Sequence, residues 1–352
     1  MAYSNEIMEL TPENKKKLET MLKKEGIEPN IGASPNGVPY FTVPVDENCK
    51  LSGSAAVLAP LQDKLSLEDR LTVANICAQS TLSISMSLLQ EVIDRKTKFA
   101  ESEMIAGSFL QKAMSDHLCN IKLTNEGLQI IQNGQMRHII DNYKTIPYTR
   151  SLYELLCMFY FLFERPKSQE EKTIVMDCWK INSEKNILGD IDTSNPKIVQ
   201  KQDETKVTIE NLRNEIKHTL LGHQFWKDLN SFTDMKKTPF VGSVGFVNEK
   251  GKLRCKKLSF AKAWKYMCKN PENLNQEFLY RMLSMHSHPV NWGLCRFSNQ
   301  SEYNDDLVMS LHHSTIFLIR LCHYYSKFFD INIEGILSEH QKGMYSCIID
   351  TF

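Results

Sequence analysis

Six hydrogen-bonding side chains occur within the ten residues that end at Pro289. They are Tyr280, Arg281, Ser284, His286, Ser287 and His288. The apolar spacing predicts a helix over residues 275–288, in which Tyr280, Ser284 and His288 lie one turn apart on one face. A buried polar group is costly unless it is paired, so this face needs partners or serves a function.

A second pair of polar residues begins a strongly apolar helix that we predict for residues 150–164. Arg150 and Glu154 are one helical turn apart, and Glu154 is the only charged residue between Leu152 and Phe163. A helix without a polar face is expected to be buried, and a buried carboxylate needs a cation or several donors. If the two helices pack together, they form a single polar cluster of Arg150, Glu154, Tyr280, Ser284 and His288.

These two motifs resemble those of an uncharacterised, mainly bacterial family of all-helical proteins. The resemblance consists of Arg, three residues and Glu at Arg150, and of Tyr-x3-Ser-x3-His-Pro beginning at Tyr280. It covers about residues 65–330 and implies a helical fold and these positions, but no activity. The family's helical character is similar to that of the HEPN superfamily, whose nucleolytic members carry Arg, four to six residues and then His, and cut RNA without a metal.

The HEPN spacing gives one enzymatic alternative, a metal-independent ribonuclease acting as a homodimer. Arg281 has this spacing to both His286 and His288, and Arg213 has it to His218. Histidine would act as general acid or base at the ribose 2′-hydroxyl, while arginine would stabilise charge on the phosphate. With ten arginines and ten histidines in the chain, about one such spacing is expected by chance.

A metal-dependent hydrolase is the second enzymatic alternative. His286 and His288 could bind a metal with ligands drawn from Asp305, Asp306, His312, His313 and His323. Residues two apart point to different sides of a helix, so this site requires the helix to end by His286. We weigh it below the other readings and expect neither a bound metal nor another cofactor, because no nucleotide-binding or hydrolase motif occurs.

A basic segment is the candidate for nucleic-acid binding. Its cations are Lys250, Lys252, Arg254, Lys256 and Lys257, with Lys262, Lys265, Trp264 and Tyr266 nearby. Lys and Arg balance Asp and Glu over the whole chain, 42 against 42, so binding of a polyanion must come from such a local patch. The alternative is an ordinary solvated hairpin.

The elements that must position these residues are mostly helices. With 15 Gly and 12 Pro in 352 residues, the composition predicts an all-α fold, a multi-helix bundle with a small β-hairpin at residues 243–258. Residues 1–60 are predicted to form an N-terminal helix and an extended arm, and residues 61–352 the helical domain. The predicted helices are 11–25, 67–95, 101–117, 125–143, 150–164, 168–186, 197–232, 260–268, 275–288, 305–329 and 333–349.

The remaining signals concern location and partners. The N-terminus lacks a basic region that leads into an apolar run, and the longest apolar block, Leu155 to Phe163, is about half of a membrane span. We therefore expect a cytoplasmic protein with no membrane partner and with reduced cysteines. The leading functional hypothesis is a binding or interaction module built round the polar cluster, whose partner is RNA, another protein or a second copy of the chain.

Overall fold

The computed structural model describes residues 30–33, 39–42, 57, 60, 65–132, 135–139, 142–187, 196–221, 244–249, 252–257, 260–267, 280–284 and 300–351. Most of these residues are helical, which confirms the all-α fold class. The helix predicted for residues 11–25 lies outside the described residues, as does most of the predicted arm.

The helices are α1 (Leu67–Arg95), α2 (Glu101–Asn125), α3 (Asn142–Phe159), α4 (Gln169–Ile187), α5 (Pro196–Leu221), α6 (Phe260–Met267), α7 (Gln300–Phe328) and α8 (Glu339–Thr351). A π-helix, Tyr160–Glu164, continues α3, a 3₁₀-helix, Ile333–Ile336, precedes α8, and residues 280–284 are also helical. The strands pair antiparallel as β1 (Asn30–Ala33) with β2 (Pro39–Thr42), β3 (Leu128–Gln132) with β4 (Gln135–Ile139), and β5 (Val244–Glu249) with β6 (Lys252–Lys257). Among these helices, none combines the length and apolarity that crossing a membrane requires.

The chain divides into two compact units. The terminal unit comprises Met1–Tyr153 and Met282–Phe352, and the central unit comprises Glu154–Arg281. In the terminal unit, α7 packs on α1 and α2, and α8 packs on α7 and α1. Ala74 and Ala78 of α1 meet Ile121 and Leu311 in its core, where the small alanine side chains allow close helix packing. In the central unit, α4 packs on α5 and on the π-helix.

Polar side chains also link the helices of the terminal unit, and these contacts were not predicted from the sequence. His117 of α2 is fully buried, with Nε2 2.9 Å from the Ala78 carbonyl oxygen and Nδ1 3.0 Å from Ser314 Oγ. Because a carbonyl only accepts, Nε2 carries the proton in the neutral ring. The Asn120 side-chain amide donates to Thr149 Oγ1 at 2.9 Å, and Thr149 Oγ1 lies 2.6 Å from Ser310 Oγ. This network connects α1, α2, α3 and α7.

Several sequence predictions need correction. The helix predicted for residues 125–143 is wrong, because α2 extends to Asn125 and strands β3 and β4 follow it. The helix predicted to begin at residue 150 begins earlier, at Asn142, and Pro147 lies inside it. There the Thr149 hydroxyl donates to the Thr145 carbonyl at 3.3 Å. The apolar helix predicted over residues 150–164 ends as a π-helix, and the single helix predicted for residues 333–349 is a 3₁₀-helix followed by α8.

We expect acidification to destabilise the protein through His117. Burial lowers the pKa of His117 to about 4, against the raising effect of its hydrogen bond to Ala78. The unfolded chain therefore binds a proton first as the pH falls, and stability that is present above the ordinary histidine pKa near 6.5 is lost towards pH 4. This shift corresponds to about 3 kcal/mol. Urea unfolding of wild type and His117→Gln, at about pH 7 and about pH 4.5, measures it.

The free energy of unfolding should fall less with pH in the variant than in wild type, so that the difference between the two proteins narrows on acidification. Carboxylates that titrate over the same range affect both proteins equally. Parallel pH profiles would show that the His117 ring is not the buried neutral group described above.

Candidate functional site

Glu154 of the first predicted motif and Tyr280 of the second are in contact in the central unit. Tyr280 Oη donates to Glu154 Oε1 over 3.1 Å, and both side chains are partly buried. The expectation that α3 is buried all round is wrong, because Glu154 and Leu155 are partly exposed while Leu152, Tyr153 and Leu156 are buried. Glu154 therefore needs fewer partners than a fully buried carboxylate would.

Two other members of the predicted cluster lie one helical turn from this pair. Arg150 is one turn before Glu154 on α3, and Ser284 is one turn after Tyr280 in the helical residues 280–284. His286 and His288 lie outside the described residues. The five-residue cluster therefore stays a prediction, of which the structure places the Glu154–Tyr280 pair in contact.

The Tyr280 ring also holds the beginning of helix α6. Its centroid lies 6.1 Å from that of Phe260, the first residue of α6, and the two ring planes are tilted by 45°. The other end of α6 is held by Tyr160 of the π-helix, whose hydroxyl donates to the Tyr266 carbonyl at 2.7 Å. That carbonyl belongs to the last turn, where intrahelical donors are missing. Both ends of α6 are thus fixed within the central unit.

Helix α6 has one buried face and one exposed face. Ala263, Trp264 and Met267 are buried, whereas Tyr266 is 43% exposed. At 100° per residue, positions 262 and 265 fall on the side opposite the buried face. The sequence places lysine at both positions, so α6 continues the basic segment.

Opposite net charges distinguish the two units. The central unit contains 22 Lys and Arg against 17 Asp and Glu, a net charge of +5, while the terminal unit contains 20 against 25, a net charge of −5. Residues 250–271 carry eight Lys and Arg and no Asp or Glu. The neutrality of the whole chain therefore conceals a basic unit, and such an asymmetry is typical of proteins that bind polyanions.

The predicted basic residues fall mainly on strand β6. Lys252, Arg254, Lys256 and Lys257 belong to it, and Lys250 lies outside the described residues. In the backbone register of the antiparallel pair, Lys252 is the partner of Glu249, Arg254 of Val247 and Lys256 of Gly245. The basic segment hence runs along one strand and then into α6.

Of the predicted Arg/His pairs, the structure describes both residues only for Arg213 and His218. Arg213 and His218 both lie on α5, five residues apart, so their side chains leave the helix about 140° apart. Arg213 forms an ion pair with Glu210 at 3.5 Å. The geometry of a continuous helix thus separates this pair. Arg281 is exposed at the end of the central unit, and both of its predicted partners lie outside the described residues.

The further metal ligands suggested by the sequence have separate contacts in the terminal unit. Asp305 pairs with Arg70 at 2.8 Å, His313 Nδ1 lies 2.7 Å from the Met309 carbonyl oxygen, and His323 Nδ1 lies 2.5 Å from the Tyr345 hydroxyl. Asp306 and His312 are buried, and burial together with His313 lowers the pKa of His312 to about 3. Within the described ranges no three His, Cys, Asp or Glu side chains are grouped to hold a metal ion.

No protein-family model matches this chain, and neither a curated protein nor a solved structure does. The chemistry of the central unit therefore provides the evidence for function. Its distinguishing features are the charge, the anchored helix α6 and the aromatic residues around it.

We expect the Glu154–Tyr280 hydrogen bond to be energetically coupled. In a double-mutant cycle of Glu154→Ala and Tyr280→Phe, the coupling free energy should be about 1–2 kcal/mol, the range of a partly buried hydrogen bond to a charged acceptor. Urea unfolding of the four proteins measures it.

The matched control replaces Glu154→Ala with Glu184→Ala, which removes a carboxylate from α4 of the same unit. Its effect should add to that of Tyr280→Phe. A Glu154 cycle that is equally additive would mean that the two side chains do not interact in solution.

Proposed function

We propose that this chain is an RNA-binding module and that the central unit binds RNA through residues 250–271. The observation that carries the proposal is the run of eight cations without an acidic residue, in a unit whose net charge is +5. Lys and Arg that neutralise phosphates release counterions, and this release supplies most of the affinity for a polynucleotide irrespective of its sequence.

The polar contacts of the central unit support this proposal because they hold helix α6, which lies within residues 250–271, in place. Helix α6 has only eight residues, and a helix of this length is unstable alone in water. The Glu154–Tyr280–Phe260 contacts hold its start and the Tyr160 hydroxyl holds its end. The Glu154–Tyr280 pair then positions α6, and strand β6 of the predicted hairpin carries four further cations of residues 250–271. An RNA ligand suits the predicted cytoplasmic location.

RNA cleavage is a second candidate function, favoured by the exposed Arg281 at the end of the same basic unit. Its guanidinium could contact a phosphate while His286 or His288 moved the 2′-hydroxyl proton. This reading requires the predicted homodimer, in which two copies of the motif meet. A protein that binds RNA without cutting it needs neither histidine.

Charge reversal tests RNA binding. Lys252→Glu, Arg254→Glu and Lys256→Glu together should weaken binding to a labelled RNA of about 12 nucleotides by at least tenfold at about 50 mM salt, measured by fluorescence anisotropy. The slope of log affinity against log salt concentration should fall by about 2, as expected when three phosphate contacts are lost.

The control for charge reversal changes Lys98, Lys122 and Lys201 to Glu, which alters the net charge equally at exposed positions outside the segment. It should bind much as wild type does. Equal losses in both triple variants would show a general charge effect and would remove the basis for a site at residues 250–271.

Cleavage is tested by incubating purified wild type with mixed RNA in the presence of EDTA. If the second candidate is right, RNA is cut and His288→Ala abolishes cutting while binding persists. Intact RNA with wild type, or cutting that survives both His286→Ala and His288→Ala, would reject these residues as the catalytic pair.

A further inference from the structure

The guanidinium of Arg165 lies against two aromatic rings at the end of the π-helix. Its Cζ is 5.0 Å from the centroid of Phe161 and 4.6 Å from that of Tyr266. The two ring centroids are 5.8 Å apart, with planes at 77°. This separation is much shorter than the sum of the two Cζ distances. The rings therefore lie on adjacent sides of the guanidinium and leave part of it uncovered by either ring.

The π-helix accounts for this arrangement. The Arg165 backbone N–H donates to the Tyr160 carbonyl, five residues earlier, at 2.9 Å. The wider turn changes the angular positions of Tyr160 and Phe161 from those of a continuous α-helix. Tyr160 reaches the Tyr266 carbonyl, and Phe161 reaches the Tyr266 ring. Arg165 is thus positioned by the same turn that anchors α6.

Arg165 is a partly buried cation whose contacts in the described structure are aromatic. No carboxylate among the described residues forms an ion pair with it, and its guanidinium makes no hydrogen bond within them. Burial lowers the pKa of Arg165, although Tyr160 and Tyr266 act in the opposite direction, and an arginine stays charged at neutral pH. A cation with unfilled N–H donors favours an anionic ligand, above all one with the oxygen geometry of phosphate.

Tyr266 supplies a partly exposed aromatic ring beside this cation. It is 43% exposed even though Arg165 and Phe161 cover part of its ring. Exposed aromatic rings next to cations hold unpaired nucleobases by stacking, and the cation pairs with the neighbouring phosphate. Bases inside a duplex already stack on their neighbours and cannot use such a surface.

We propose that Arg165, Phe161 and Tyr266 form a stacking site for one unpaired base, which makes the central unit specific for single-stranded over double-stranded nucleic acid. One base stacks on Tyr266, Phe161 supports the Tyr266 ring from behind, and Arg165 binds the adjoining phosphate. This inference rests on the proposed function, because residues 250–271 supply the general attraction for the strand. Stacking requires a base, whereas the attraction between cations and phosphates does not.

Oligonucleotides that differ only in their bases test this requirement. The probes are labelled oligothymidine and oligouridine of about 12 nucleotides, an abasic oligonucleotide of the same length, and a duplex of that length. Wild type should bind both single strands about tenfold more tightly than the abasic strand, the range of one stacked base, and more tightly than the duplex. A preference for oligouridine would identify RNA as the source of the strand.

Variants then assign the effect to the site. Tyr266→Leu should remove the preference for bases over the abasic strand, and Tyr266→Phe should keep it. Each retains the backbone carbonyl that accepts from Tyr160, and circular dichroism checks that each is folded. Arg165→Gln should weaken binding of every single strand, more than Lys201→Gln does at an exposed position of α5 in the same unit.

The possible outcomes separate this inference from the proposed function. Equal binding of thymidine and abasic strands, lost on charge reversal of strand β6, would overturn the stacking site and keep the polyanion site. Binding of the duplex as tight as that of the single strands would also overturn it. Failure of wild type to bind any of the probes at about 50 mM salt would reject the proposed function and the stacking site together.

Discussion

The hydrogen bond from the Tyr160 hydroxyl to the Tyr266 carbonyl is the contact on which the arrangement of the central unit depends. It joins the π-helix to the last turn of α6 over 2.7 Å. Helix α6 is about 12 Å long and has no independent stability at this length. Its position therefore comes from tertiary contacts, namely this bond, the burial of Trp264 and the packing of Phe260 on Tyr280. Loss of this arrangement would separate Tyr266 from Arg165.

The π-helix that makes this contact is stabilised by its own burial. Phe161, Leu162 and Phe163 are buried, and Phe159, at the end of α3, stacks on Phe163 with centroids 4.7 Å apart. These apolar contacts offset the weaker hydrogen-bond geometry of the wider turn. The turn adds a residue to the helical path, and from it Tyr160 contacts the backbone of Tyr266 while Phe161 contacts the ring of Tyr266. The buried π-helix thus positions Tyr160, Phe161 and Arg165 so that all three contact Tyr266.

The sequence predicted most helices because their apolar spacing persists over many turns. The predictions for residues 67–95, 168–186 and 260–268 agree with α1, α4 and α6 to within one residue at each end. Residues 128–139 were mistaken for helix, although Asn133-Gly134 is a favoured hairpin turn, because their apolar residues fit both periods. The π-helix could not be predicted, since a run that is apolar on all sides has no phase from which a shift could be detected.

Residues of the candidate site were predictable where their polarity differed from that of the neighbouring residues in the sequence. Glu154 is a lone charge in an apolar stretch, which predicted that its carboxylate has a polar partner. Tyr280 is such a partner. Arg165 gave no such signal, because it follows the apolar run and its partner Tyr266 is about a hundred residues away. The charge difference between the units was also hidden, because the two net charges cancel in the chain as a whole.

Arg165 of the central unit is held differently from the polar side chains that join the helices of the terminal unit. In the terminal unit, both ring nitrogens of His117 have hydrogen-bond partners, and Thr149 joins Asn120 to Ser310. In the central unit, Arg165 is positioned by rings that fill none of its N–H donors, beside an exposed Tyr266. Desolvating a cation costs free energy that aromatic contacts recover only in part, and an anionic ligand would recover more. Arg165, unlike His117 and Thr149, is held among the described residues by ring contacts alone, and its unfilled N–H donors favour the binding of an anion.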